Sequence, residues 1–175
     1  MDLKKVRVGI NGFGRIGRLV FRAGFDQVEI VGINNLGDVK GAAHLLKYDS
    51  THGRIHADVK HDEKNLIVNG AKIPMTAIKN PAEIPWKDWG CDVVLECTGA
   101  FKGKDDFMKH IQAGAKKVLV SAPADGADLT VVYGINHTTY NPSRHQVVSN
   151  ASCTTNCLAP VAKVLHDQFG IEQGL

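Results

Sequence analysis

The chain has 175 residues, of which 43% are hydrophobic and 22% charged, with a formal net charge of +3. That length fits one domain with a sizeable core. Because the basic residues are scattered, nothing favours a nucleic-acid partner, and no apolar run approaches the length of a membrane span. Four cysteines without a secretion signal indicate free thiols. We expect a cytoplasmic protein without membrane or nucleic-acid partners.

The first predicted element is a strand over Val6–Asn11 that runs directly into Gly12-Phe13-Gly14-Arg15-Ile16-Gly17. Apolar residues at helical spacing follow this G-x-G-x-x-G string. Glycines in such a turn let the backbone approach a pyrophosphate, and the helix N-terminus then holds the phosphates. The string alone is a weak signal. A strand before it, a helix after it and a second strand over Val28–Asn34 together indicate a dinucleotide site.

The residue after the second strand is Asn35, where a dinucleotide site usually has an acidic residue against the adenine ribose. An asparagine can bind the ribose hydroxyls but has no charge to repel a 2′-phosphate. We expect NAD as cofactor because no arginine follows directly, with NADP as the alternative. Asp38 is predicted to cap a helix over residues 39–46.

The remaining pattern alternates strands with helices, which is typical of parallel α/β folds. A β-hairpin is predicted over Asn65–Ile73, turning at Asn69-Gly70, and three prolines are predicted to mark a loop and a helix start near Trp86. The other predicted elements are a strand Cys91–Cys97 closed by Thr98-Gly99, a helix Lys104–Ala113, and strands Lys117–Ser121, Leu129–Tyr133 and Gln146–Ser149. The predicted fold is a Rossmann-type, doubly wound, mostly parallel sheet with a hairpin insertion.

The last predicted helix begins within Ser149–Cys157, so Cys153 is expected in its first turn. Unpaired N–H groups and the helix dipole favour a thiolate there, which suits nucleophilic catalysis. The alternative is that Cys153 and Cys157 are two small buried residues on one helix face. Pro160 is expected to interrupt the helix early. No cysteine or histidine spacing indicates a metal site.

The string from Ser152 to Cys157 resembles the active-site signature of the glyceraldehyde-3-phosphate dehydrogenase family, and the resemblance extends from Val8 to Leu175. It implies that Cys153 is the catalytic nucleophile, adding to the aldehyde of glyceraldehyde 3-phosphate before inorganic phosphate releases the product. By the same resemblance, Ser152 and Thr154 contact substrate. The cofactor-binding residues that it implies are Gly12, Gly14, Arg15, Ile16, Gly17, Asn35, Lys79 beside the adenine, Thr98, Gly99, and Ser121 near the nicotinamide.

The resemblance also implies a domain organisation. Residues 1–150 would form the dinucleotide-binding domain, and residues 151–175 the active-site helix leading to a catalytic domain absent from this chain. The family's general-base histidine and phosphate-gripping arginine would lie beyond Leu175, so we expect cofactor binding with little turnover. The full-length protein is expected to be a homotetramer. The alternatives are an erythrose-4-phosphate dehydrogenase and a non-catalytic dinucleotide-binding or interaction module.

Overall fold

The computed structural model describes residues 5–174, and the helices and strands follow the predicted order closely. The helices are α1 (Arg15–Gly24), α2 (Val39–Lys47), α3 (Lys104–Gln112) and α4 (Cys153–Phe169). The strands are β1 (Arg7–Asn11), β2 (Glu29–Asn34), β3 (Tyr48–Asp49), β4 (Gly53–Arg54), β5 (Val59–His61), β6 (Asn65–Val68), β7 (Ala71–Thr76), β8 (Val93–Glu96), β9 (Lys117–Val120), β10 (Leu129–Thr130) and β11 (Val147–Ser149).

Nine of these strands form one sheet in the order β10-β11-β9-β8-β1-β2-β7-β6-β5. All pairs from β10 to β7 are parallel, and the other two are antiparallel. The chain passes from β1 to β2 on one side and later returns to β8 on the other side of β1. Strand order therefore reverses at β1, which is where open α/β sheets form a ligand crevice at the strands' carboxyl ends. The predicted Rossmann-type fold is confirmed.

The predicted hairpin is confirmed and is joined to the main sheet. Asn69 and Gly70 have φ values of 50° and 83°, the left-handed backbone that a two-residue hairpin turn requires. The end of β7 then pairs in parallel with the end of β2, Thr76 lying opposite Asn34. The hairpin therefore extends the parallel sheet. Asp38 caps α2 as predicted, because its carboxylate accepts from the Gly41 N–H at 2.7 Å.

Two tryptophans pack against bare strand backbone under the sheet. A Cβ at Gly9 would collide with the Trp86 ring, and one at Gly32 with the Trp89 ring. The two glycines are paired across β1 and β2, so together they form a flat groove that the edge-to-face indoles fill. The predicted helix start near Trp86 is wrong: a 3₁₀ turn spans Pro81–Glu83, and turns continue to position 90.

Two further predictions need correction. The strand predicted over Leu129–Tyr133 contains only Leu129–Thr130, because the chain then leaves the sheet edge. Pro160 lies inside α4, which continues to Phe169, so the early interruption is wrong. Proline removes one N–H donor, and a helix with an exposed surface can leave the freed carbonyl to water. No residue of α4 is buried, and no helix within residues 5–174 is long and apolar enough to cross a membrane.

Candidate functional site

A cleft of about 380 Å³ opens at the carboxyl ends of β1, β2, β7 and β8. It brings together five of the predicted cofactor residues, namely Gly12, Gly14, Asn35, Lys79 and Thr98. These residues come from four separate loops, each following a different strand. The parallel strand order therefore brings to one edge of the sheet residues that are up to 86 positions apart in the sequence.

The glycines of the first turn differ in what surrounds them. Gly12 has φ +90°, and a Cβ there would lie 2.7 Å from the Thr98 nitrogen. A Cβ at Gly17 would collide with the Gly12 carbonyl oxygen, which α1 approaches closely. No atom lies within 4 Å of a Cβ built on Gly14. The fold itself thus requires two of the three glycines, and the third borders open space in the cleft.

Asn35 is held with a fixed amide orientation. Its Oδ1 accepts from the Phe13 N–H at 3.1 Å, and its own N–H donates to the Thr76 carbonyl at 2.8 Å. Because Oδ1 is engaged by a donor, Nδ2 is the side-chain atom that Asn35 offers as a donor to the cleft.

The other predicted cofactor residues lie beside the cleft. Arg15 donates to Asp49 at 2.7 Å, and Ile16, beside it in the first turn of α1, is 46% exposed. Gly99 has φ +67° in the turn after β8. Ser121 follows β9, and its N–H donates to the Glu96 carbonyl at 3.0 Å.

A buried carboxylate that sequence reasoning missed lies under the cleft floor. Glu96 is 2% exposed, and its Oε1 accepts from both the N–H of Thr98, at 2.8 Å, and the Thr98 hydroxyl. Its Oε2 accepts from Asn11 Nδ2 at 2.6 Å and lies 3.0 Å from His110 Nε2. Burial works to raise the pKa of Glu96, but the hydrogen bonds from His110, Thr98 and Asn11 outweigh it and lower that pKa.

The network continues in both directions from Glu96. On one side, Trp86 Nε1 donates to His110 Nδ1 at 3.0 Å, which fixes His110 as the neutral Nε2–H tautomer donating to the carboxylate. On the other side, Asn34 donates to Asn11 Oδ1 at 2.8 Å. In the sequence, Asn11, Asn34 and Glu96 are each only the polar last residue of an apolar strand, and it is the fold that places them in register across three adjacent strands.

The turn that leads into α4 is built from unusual backbone. Ala151 is buried and has φ +57°, a left-handed conformation that is rare for residues with a Cβ and is often found at functional sites. Ser149 Oγ holds this turn by accepting from the Ala151 N–H at 3.1 Å and donating to the Ala122 carbonyl at 2.8 Å. Asn156 Nδ2 reaches back to the carbonyls of Asn150 and Ser152 at 2.8 and 2.9 Å.

Cys153 is the first residue of α4, as predicted, and its side chain is exposed. Ser152 caps the helix by accepting from the Thr155 N–H at 2.9 Å, and its hydroxyl lies 2.9 Å from that of Thr154. Cys157 is exposed too, so the alternative of two buried cysteines on one helix face is wrong. Cys91 and Cys97, in contrast, are buried, and desolvation raises the pKa of each thiol to about 11.

Cys153 and the cleft lie at the same edge of the sheet. The helix that carries Cys153 follows β11, which is two strands away from β8 and its Thr98 turn. At the usual spacing between strands, that separation is roughly 10 Å. Within residues 5–174, no group of three histidine, cysteine or acidic side chains could hold a metal ion.

Comparison with known proteins agrees with this arrangement. The family described as "glyceraldehyde 3-phosphate dehydrogenase, NAD binding domain" matches residues 6–104, and the corresponding C-terminal domain family matches residues 152–175. Similar proteins include glyceraldehyde-3-phosphate dehydrogenases of Geobacillus stearothermophilus and Pseudomonas aeruginosa, each 55% identical, and of Xanthobacter flavus, 58% identical. Each alignment covers 97% of this chain, which spans about half the length of these relatives. The chain belongs to the glyceraldehyde 3-phosphate dehydrogenase family.

Proposed function

We propose that this chain is the NAD-binding portion of a phosphorylating glyceraldehyde-3-phosphate dehydrogenase. The observation that carries the proposal is the cleft, where the Gly12–Gly17 turn, Asn35, Lys79 and Thr98 meet at the carboxyl ends of parallel strands. Dinucleotides bind at this edge of such sheets. The family matches and the names of the relatives support the same function, and they favour a triose phosphate over erythrose 4-phosphate and over a non-catalytic module.

The residues of the cleft suit a dinucleotide. The open space beside Gly14 leaves room for a pyrophosphate against the backbone, next to the N-terminus of α1. Asn35 offers an amide donor to the adenine ribose, and Lys79 would lie beside the adenine. The Thr98-Gly99 turn would run along the cofactor, with Ser121 near the nicotinamide end. When bound, NAD supplies the hydride acceptor for aldehyde oxidation.

In the proposed reaction, the Cys153 thiolate adds to the aldehyde carbon of glyceraldehyde 3-phosphate. A carbon–sulfur bond forms, and the carbonyl electron pair moves to oxygen, giving a thiohemiacetal in its oxyanion form. The Cys153 backbone N–H is a candidate donor to that oxygen, while Ser152 and Thr154 contact the substrate. Loss of a hydride from the former aldehyde carbon, for which bound NAD would be the acceptor, leaves a thioester on Cys153. Inorganic phosphate then attacks the thioester carbon and displaces the sulfur as thiolate, releasing an acyl phosphate.

We also propose the wider organisation expected from the sequence. Residues 1–150 would form the dinucleotide-binding domain and residues 151–175 the active-site helix, consistent with a C-terminal domain match that begins at 152. The whole protein would be a cytoplasmic homotetramer. Gel filtration and sedimentation of the full-length protein would test the assembly.

Calorimetric titration of NAD and of NADP into the chain tests the cofactor assignment. We expect saturable NAD binding. The Asn35→Asp variant keeps the acceptor for the Phe13 N–H but adds a charge, so it should weaken NADP binding more than NAD binding. Gly24→Ala is the control, because Gly24 lies at the far end of α1 and a Cβ added there meets no atom within 4 Å. Absence of NAD binding by the folded wild-type chain would refute the proposed function, and tighter NADP than NAD binding would assign NADP.

A further inference from the structure

We infer that Glu96 is a positioning residue for cofactor binding: its buried carboxylate fixes the Thr98 turn and, through Asn11 and Asn34, the opposite wall of the cleft. This inference rests on the proposed function, because it concerns how the cleft holds NAD. Besides the nearby, exposed Thr98, the carboxylate bonds two buried side chains, Asn11 and His110, which lie 85 and 14 positions away in the sequence.

The direction of every hydrogen bond in this network is determined by its ends. One end is the Trp86 indole N–H, a donor only, and the other is the backbone N–H of Ile78, which donates to Asn34 Oδ1 at 2.8 Å. From the Ile78 end, Asn34 donates to Asn11 and Asn11 donates to Glu96. From the Trp86 end, His110 donates to Glu96. The centre must therefore be a group that only accepts, and an ionised carboxylate is such a group.

A neutral amide at position 96 could not replace this carboxylate. Both oxygens of Glu96 accept two donors each. Glutamine has one accepting oxygen, so either the Thr98 pair or the pair from Asn11 and His110 would face an NH₂ group. Rotating the Asn11 amide does not help, because its Oδ1 already accepts from Asn34. The network thus has a single satisfied arrangement.

Both walls of the cleft are attached to this network. On the β8 side, Glu96 binds the Thr98 N–H and hydroxyl directly. On the β7 side, Asn34 clamps the backbone of Ile78 by donating to its carbonyl at 2.9 Å and accepting from its N–H, immediately before Lys79. A change at Glu96 therefore reaches the cleft through Thr98 and Asn11, which both line it and both bond the carboxylate.

The network also sets the chemistry that Thr98 presents. Because its hydroxyl proton points to Glu96, Thr98 Oγ1 can only accept hydrogen bonds from other groups, as it does from the Ala100 N–H at 3.1 Å. The remaining lone pair suits a ligand hydroxyl that donates. Glu96 thereby makes Thr98 an acceptor in the cleft.

The test measures NAD affinity by calorimetry and stability by urea unfolding for Glu96→Gln, Thr98→Val and the double variant. We expect each single change to weaken NAD binding roughly tenfold. The double variant should bind NAD no more weakly than Glu96→Gln alone, since the loss of Glu96 already releases Thr98, and Thr98→Val then removes nothing further. Effects that multiply, or unchanged affinity in a folded Glu96→Gln variant, would overturn the inference.

Asp128→Asn is the matched control, because Asp128 likewise accepts from Lys104 and from the N–H groups of Gln146 and Val147 but lies at the opposite edge of the sheet. It should lower stability and leave NAD affinity unchanged. If Glu96→Gln does not fold, the comparison of Thr98→Ser with Thr98→Val tests the inference. The serine variant should bind NAD within about threefold of wild type, and the valine variant about tenfold more weakly. Equal affinity of these two variants would overturn the inference. Failure of the wild-type chain to bind NAD would instead refute the proposed function.

Discussion

Alanine substitutions in the Gly12–Gly17 turn should separate glycines that the fold needs from a glycine that the ligand needs. At Gly17 an added Cβ would lie less than 3.0 Å from a backbone oxygen that no side-chain rotation can move. At Gly14 the backbone is extended, with φ −74° and ψ −155°, and no atom lies within 4 Å of an added Cβ. The first change should therefore damage the fold, and the second should damage only binding.

The expected magnitudes follow from these surroundings. Overpacking at Gly17 should lower the free energy of unfolding by about 1–3 kcal/mol. The higher helix propensity of alanine offsets up to about 1 kcal/mol of that loss. At Gly14, alanine is a poorer helix N-cap than glycine but loses less backbone entropy on folding, and the two effects nearly cancel to within about 1 kcal/mol. A methyl group between the backbone and a pyrophosphate should weaken NAD binding at least about tenfold, or 1.4 kcal/mol.

Urea unfolding and NAD calorimetry on the same protein samples provide the assay. Gly24→Ala is the control for helix propensity, and it should raise stability by about 0.5–1 kcal/mol without changing affinity. If Gly14→Ala binds NAD as tightly as wild type, the cofactor does not approach the backbone there. If Gly17→Ala is as stable as Gly24→Ala, the close contact between α1 and the Gly12 turn is not a constraint.

The two core thiols, a buried indole and a partly buried carboxylate each lead to a further prediction. With pKa values raised to about 11, Cys91 and Cys97 are only ~0.1% thiolate at pH 8, so mass spectrometry should count two maleimide labels on the folded chain and four in denaturant; a third label on the folded chain would contradict this. Trp86→Phe leaves His110 Nδ1 without its donor and should cost about 1–3 kcal/mol in urea unfolding, whereas a loss below about 0.5 kcal/mol would contradict the predicted effect. At Asp128, hydrogen bonds outweigh desolvation and lower the pKa to about 2, so its stabilisation is present above pH ~4 and is lost as pH falls through 2. The urea midpoints of wild type and Asp128→Asn should therefore converge towards pH 2, and a constant difference would contradict the assignment.

Local patterns predicted most of the secondary structure and part of the candidate site. The glycine turn, the Asp38 cap, the Asn69-Gly70 turn and the position of Cys153 are each determined within a few residues, by backbone preference or by capping. Such features can be read from the sequence because their physical causes lie within the same short segment.

The features that the sequence did not predict depend on which strands become neighbours. Asn11 and Glu96 are 85 positions apart and meet only because β8 pairs with β1. The indoles of Trp86 and Trp89 pack on glycines of two other strands, so their own segment gave a false helix prediction. No local signal distinguishes a polar residue that ends a strand in solvent from one that enters a buried network.

The cleft and the Cys153 turn are held by separate sets of hydrogen bonds that meet on one strand. Glu96 supports the cleft, and its backbone carbonyl accepts from the Ser121 N–H just after β9. The Asn150 N–H, at the start of the turn into α4, donates to the carbonyl of Val120, the last residue of β9. Consecutive residues at the end of β9 therefore set the cleft floor and the Cys153 turn relative to each other.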